Sequence, residues 1–202
     1  LERYNTGDIK PDAGTMKRNS YAKMFAPVAL GKQMLMARRL VEAGIGFVTV
    51  TCTGWDMHGG GKEYTITDGM PVQAPAVDRA ASAFIEDIIQ RGLYDKVLLV
   101  ITGEFGRTPV AQPQKNAPVG RDHHVHAFSM WMAGGGVKPG FSYGETDQWG
   151  YKATIGRLEI HDLHATLLHL MGVDHRNFTH RFSGRDIRLT DVHGRVVREV
   201  LS

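Results

Sequence analysis

The chain has 202 residues, of which 42% are hydrophobic and 22% charged, with a formal net charge of +3 and a single cysteine. That is enough apolar material for one filled core, and the small excess of Lys and Arg is scattered without interleaved aromatic residues, which excludes a nucleic-acid surface. One cysteine excludes an internal disulfide framework, and no apolar run approaches the roughly 20 residues that span a bilayer.

The chain begins LERYNTGDIK, with neither an initiating Met nor an export signal, and reads as processed or as continued upstream. Residues 1–20 are polar and interrupted by Gly7, Pro11 and Gly14, an irregular lead-in. Within MFAPVALGKQMLMARRLVEAG, Met34, Leu35, Ala37, Leu40 and Val41 recur at helical spacing and Gly44 supplies a stop. IGFVTVTC (45–52), β-branched and almost uncharged, predicts a buried strand. The glycine-rich stretch TGWDMHGGGKEYTITDGMPVQAP predicts a long loop. After Pro75 comes a second amphipathic helix, with Val77, Ala80, Ala81, Phe84, Ile85, Ile88 and Ile89 on one stripe and Gly92 as its stop. KVLLVIT (96–102) predicts a second buried strand running into GEFGRTP. AFSMWMAGG (127–135) predicts a third, beyond a loop holding Pro109, Pro113 and Pro118. A turn-rich segment follows, then a short helix in IHDLHATLLHLMG ended by Gly172, and RDIRLTDVHGRVVREV predicts a C-terminal β-hairpin turning at Val192, His193 and Gly194. The alternation predicts an α/β fold in a single domain, residues 1–202, with a sheet covered on both faces.

Three polar clusters lie at the ends of predicted strands, where open α/β sheets gather their sites. WDMHGG supplies Asp56 and His58 on a turn loosened by glycines, oxygen and nitrogen donors that suit Zn, Mn or similar divalent ions; the plainer reading is a capped turn and a solvated imidazole. TGEFG supplies Glu104 at the end of an uncharged strand, where a carboxylate calls for a cation or for an ion pair with Arg107. GRDHHVH supplies Asp122, His123, His124 and His126. In an extended segment alternate residues share a face, so His123 points away from Asp122, His124 and His126, and all four cannot bind one ion. The segment reaches the same sheet edge only if the third strand runs antiparallel or the loop folds back. His161 and His164 are helix neighbours, with His169 turned away from them; His175, His180 and His193 read as structural or solvated. Cys52 reads as a small hydrophobe, or as a thiol ligand or nucleophile.

The order of these motifs resembles the alkaline phosphatase superfamily, whose strand motif Thr-Ser/Ala-Asp-His-Gly has its counterpart in Thr102-Gly103-Glu104-Phe105-Gly106. WDMHG, GEFGRTP, GRDHH, MWMAGGGVKPG, DLHATLLHLMG and FSGRDIRLTDVHG together look like the bacterial DUF1501 proteins, a sulfatase-like branch of it, from about Tyr21 onward. The resemblance implies a three-layer α/β/α sandwich with a mostly parallel sheet and a C-terminal hairpin. It implies divalent metal ions (Zn, Ca, Mg or Mn), with Asp56 and His58 holding one of them, Glu104 replacing the superfamily's Asp, and His123 or His124 matching its late His. Phe105 stands where the superfamily has a histidine. The resemblance also implies a nucleophile encoded upstream of Leu1 and a periplasmic or secreted location; nothing in the motif pattern supports Thr51, Thr53 or Ser129 in that role.

The expected function is therefore metal-dependent hydrolysis of small-molecule or glycan phosphate or sulfate esters. Asp56, His58, Glu104, Asp122, His123 and His124 are its candidate ligands, and Arg107 and Arg121 its candidate anion contacts. The alternative is a non-catalytic binding or structural module on a degenerate phosphatase-like scaffold. A nucleotide-binding domain is disfavoured by the absence of G-x-G-x-x-G and Walker patterns. Exposed sheet edges would favour homo-oligomers.

Overall fold

The structure is a computed structural model that describes residues 2–18, 26–59, 64–112 and 119–202. Met24, Phe25, Gly60, Gly61, Pro113 and Pro118, which entered the expectations above, lie outside the described residues. The chain divides into two compact units, Leu1–Val97 with Glu104–Phe128, and Leu98–Gly103 with Ser129–Ser202.

The first unit is mainly helical. Helix α1 (Ala13–Arg18) occupies part of the segment expected to be irregular. Helix α2 (Leu30–Glu42) ends as its sequence predicts: Gly44 takes φ +93°, its N–H donates to Val41 and that of Ile45 to Leu40, both at 3.0 Å, the paired bonds of a glycine stop. Helix α3 (Ile66–Gln90) starts well before Pro75 and carries Pro71 and Pro75 inside it. The reason is local. Thr65 accepts a hydrogen bond from the Asp68 N–H at 3.1 Å, capping a first turn, and Val72, Gln73 and Ala76 are buried on the face that Ala80, Phe84 and Ile88 continue. Helices α2 and α3 pack together, with Met34 and Ala37 among the buried residues of α2. Burying Phe84 and Ile88 contributes about 1.5–3 kcal/mol each.

A charged network joins the same helices. Asp87 accepts from the Tyr4 hydroxyl at 3.0 Å and from Nε of Arg38 and Arg91, each at 2.9 Å. Glu42 accepts from Arg38 and, at 2.7 Å, from Arg91. Burial opposes ionisation of Asp87, but the hydrogen bonds from Arg91 and Tyr4 and the two nearby guanidinium charges outweigh it and hold the carboxyl below its ordinary range.

The second unit holds β1 (Leu98–Ile101), antiparallel to β4 (Trp131–Gly134), with Leu98 opposite Gly134 and Ile101 opposite Trp131. Two short hairpins follow, β5 (Glu145–Thr146) with β6 (Ala153–Ile155) and β7 (Thr179–Phe182) with β8 (Arg185–Arg188). Helix α4 (Ile160–Leu170) opens with a capping box between Glu159 and Asp162. Asp162 also accepts from the Arg195 N–H at 2.8 Å, and Thr166 from the Val197 N–H at 3.0 Å, so α4 anchors the C-terminal segment. His175 is buried and its Nδ1 pairs with Thr190 Oγ1 at 2.8 Å, a structural histidine.

Three expectations are corrected. The mostly parallel three-layer sandwich is not formed: every ladder among the described residues is a two-stranded antiparallel pair. The strand expected at 45–52 forms no ladder, and Phe47 within it is 72% exposed. Apolar, β-branched composition favours extended chain, but a strand also needs a neighbour for its N–H and C=O groups, and no local pattern supplies one. The C-terminal hairpin turns at Ser183 and Gly184, both at positive φ, and not at Val192–Gly194.

Candidate metal centre

The WDMHG segment is fixed by its apolar member. Met57 is 5% exposed and packs with Tyr64 and Ile66, so the residues on either side of it, Asp56 and His58, are turned elsewhere. The Met57 N–H donates to the Trp55 carbonyl at 2.9 Å, a tight turn centred on Asp56.

The partners arrive on a two-stranded ladder. β2 (Gly106–Arg107) runs antiparallel to β3 (His123–His124), with Arg107 opposite His123 and Gly106 opposite His124. Cross-strand partners share a face, so Arg107 and His123 project together while His124, 6% exposed, is buried on the other side. The Arg121 N–H donates to the Met57 carbonyl at 3.1 Å and ties β3 to the WDMHG turn. Gly120 lies against that turn so closely that a Cβ on it would stand 2.0 Å from the His58 carbonyl carbon.

The result is a triangle of donor atoms. Asp56 Oδ1 lies 2.8 Å from His58 Nε2 and 3.4 Å from His123 Nε2, and the two imidazole nitrogens are 3.2 Å apart. These three residues form the one group of potential ligand atoms found together among the described residues. Ligands at about 2.0–2.2 Å from a shared zinc ion sit about 3.0–3.5 Å from one another; the two edges to His123 match that spacing, and the Asp56–His58 edge, at 2.8 Å, is shorter and of hydrogen-bond length.

The surroundings orient the donors. His58 Nδ1 is 2.9 Å from Gln112 Oε1 and 3.7 Å from Asp122 Oδ1. With an ion bound, a proton on Nδ1 donated to Gln112 would leave the Nε2 lone pair inside the triangle. The ring of Phe105 stacks on His123, with centroids 5.2 Å apart and planes at 26°. Arg107 closes the triangle: Nη2 donates to Asp56 Oδ1 at 2.9 Å, and Nη1 is 3.3 Å from His58 Nε2. Partial burial opposes ionisation of Asp56, but hydrogen bonds from Arg107 and His123 and the charges of His58 and Arg107 more than offset it and hold the carboxyl below its ordinary value.

Of the residues singled out by sequence, the structure brings together Asp56, His58, His123 and Arg107, with Asp122 beside them. Glu104 is exposed and outside the triangle, and Arg107 pairs with Asp56. His124 is buried away from it; Arg121 is exposed and contributes backbone, its carbonyl accepting from Arg107 at 3.3 Å. Asp122 accepts the His123 N–H at 2.7 Å, a positioning contact. Burial pushes the Cys52 thiol up, partly offset by the Trp55 indole N–H at 3.5 Å, which argues against a thiolate. Gln112 and Gly120 went unremarked in the sequence. A glycine next to a His-rich tract was the available signal for one; the other had none.

A family model described as a protein of unknown function, DUF1501, matches residues 4–201. The chain belongs to the DUF1501 family. No curated protein and no solved structure matches it. The DUF1501 match spans both compact units and all of the residues that build the triangle. Among the described residues of this DUF1501 chain, no helix is long and apolar enough to cross a membrane.

Proposed function

We propose that this DUF1501 chain holds a divalent cation at Asp56, His58 and His123 and, with Arg107 beside it, hydrolyses phosphate or sulfate esters. The observation that carries the reading is the convergence of one carboxylate oxygen and two imidazole nitrogens within 3.4 Å of one another, with the far nitrogen of His58 placed on Gln112. When bound, the ion supplies Lewis-acid stabilisation of charge on the ester oxygens.

The chain's own residues divide the remaining work. Asp56 provides the negative charge that offsets a divalent ion, and the imidazoles add neutral donors without redox chemistry. Arg107 places a fixed positive charge at the same spot, and its fork of N–H groups matches the paired oxygens of a tetrahedral anion. Phe105 covers one face of His123. Among the described residues no Ser, Thr or Cys side chain is hydrogen-bonded to the triangle, so the roles assigned are cation holding and anion binding.

One observation favours a second reading, a structural cluster on a non-catalytic module. Arg107 already satisfies Asp56 without an ion. Calorimetric titration of chelator-treated protein with Zn or Mn separates the two. Saturable binding of one ion per chain, lost in D56A, H58A and H123A, with metal-dependent release of phenol from an aryl phosphate or sulfate, supports the hydrolase. Binding without turnover of either ester leaves the cation site and removes the hydrolase. No binding in the wild type or in R107Q establishes the structural cluster.

A further inference from the structure

A second charged site shares no residue with the triangle. Arg3, Arg38, Arg39 and Arg91 line a pocket of about 260 Å³ together with Tyr4 and Asp87. Four guanidinium groups around one small cavity repel one another unless anions answer them. Two are answered: Arg38 and Arg91 each donate Nε to Asp87 and Nη1 to Glu42. The other two are not. Arg3 donates to the neutral Gln90 side chain at 3.0 Å, and Arg39, exposed in the last turn of α2, has no carboxylate partner among the described residues. Nη2 of Arg91 likewise carries no hydrogen bond among the described residues, while the Arg38 guanidinium also meets the Tyr4 hydroxyl.

The balance sets the ligand. Pairing Arg38 and Arg91 against Asp87 and Glu42 leaves the two charges of Arg3 and Arg39 in surplus. The C-terminal ends of α2 and α3 offset only about half a charge each, so the pocket stays positive. Its volume falls just below the roughly 300–1,000 Å³ of pockets that enclose drug-sized ligands.

We propose that this pocket binds a small tetrahedral dianion, inorganic phosphate or sulfate or the head of a compact monoester, held by Arg3 and Arg39 with the free Nη2 of Arg91. Arg38 is the fixed wall of the pocket: it is 6% exposed and held by two carboxylates and the Tyr4 hydroxyl, so its positive charge is in place without further loss of freedom. Arg3 and Arg39 are the exposed arms that complete the charge.

The test titrates inorganic phosphate, sulfate and phenyl phosphate separately into the chain, followed calorimetrically with chelator present and ionic strength held constant with chloride. The expected result is one saturable site in the wild type. R39Q weakens it at least about tenfold, the loss of one charge-assisted hydrogen bond, and R3Q,R39Q abolishes it, while circular dichroism shows both variants folded. Comparable affinity for the two free ions and for phenyl phosphate assigns the site to the tetrahedral dianion itself; markedly tighter phenyl phosphate assigns it to the monoester. The proposal is overturned if no titration saturates, or if R39Q binds as the wild type does. It is also overturned if binding is lost in R107Q and kept in R3Q,R39Q, which would place the anion at the triangle.

Discussion

Gly120→Ala tests the centre without touching a ligand. A Cβ at this position meets the His58 carbonyl carbon at 2.0 Å, the His58 oxygen at 2.1 Å and the Met57 oxygen at 2.2 Å. All three are backbone atoms, so no side chain can swing aside, and about 1.4 Å must open before the 3.4 Å of ordinary contact is reached. The opening falls where Arg121 N–H holds the Met57 carbonyl and where the Gln112 N–H holds the Gly120 carbonyl at 2.8 Å, so it moves His123 and the Gln112 support of His58 together. Metal–ligand bonds tolerate only about 0.2 Å, and loss of an orienting partner alone costs about 10–100-fold in affinity. Zn affinity of G120A should therefore fall by at least that factor, about 1.4–2.7 kcal/mol, in a calorimetric titration of chelator-treated protein. Gly46→Ala is the control, because a Cβ there meets nothing within 4 Å. If G120A stays folded and binds Zn as tightly as G46A, the claim that this backbone approach sets the His58–His123 spacing is wrong.

Arg107→Gln removes a positive charge 2.9 Å from Asp56 Oδ1, so divalent affinity should rise a few-fold while aryl ester binding, read as KM, weakens about tenfold or more. Ile88→Ala, at a fully buried position on α3, should destabilise the chain by about 2–5 kcal/mol in urea unfolding. Gly44→Ala should cost only about 1–2 kcal/mol, since the site is open and the strain is confined to its positive φ. Asp87 has a folded pKa below its ordinary 3.8, so the stability it contributes is complete above that value and is lost as the pH falls through the lower folded one. D87N should be less stable than wild type at neutral pH, where Arg38 loses its carboxylate, yet lose less on going from pH 5 to pH 3 in thermal melts.

The helices were legible because their signals are local. Apolar spacing and glycine stops placed the body and the end of α2 and the end of α3 within a few residues. The start of α3 is masked in the sequence by Pro75, although Thr65, three residues before Asp68, carries the pattern that caps a first turn. The sheet was not legible for the opposite reason. Residues 45–52 and 96–102 are both apolar and β-branched, yet only the second run contains a ladder strand, and its partner β4 comes thirty residues later and antiparallel. The helix–strand alternation predicts a sheet covered on both faces, and the family resemblance a mostly parallel one, but counting elements does not state which strands meet.

The site shows how a wrong sheet can still yield a definite set of neighbours. The alternation along RDHHVH separates His123 from His124 whatever the strand pairs with, because it depends on the backbone pleat and not on the topology. Which face reaches Asp56 depends on register, and register is set across the ladder: Arg107 opposite His123 puts the guanidinium and one imidazole on the same side, and Gly106, opposite His124, lies where a Cβ would meet the Ala127 carbonyl oxygen at 2.0 Å. Sequence spacing offers Arg107 to Glu104, three residues away, as one of two answers to that carboxylate, the other being a cation. In the fold the nearer carboxylate is Asp56, on a turn brought in by the burial of Met57. Glu104 is thereby left in solvent, and Phe105, the apparent gap in the ligand pattern, becomes the surface against which His123 rests.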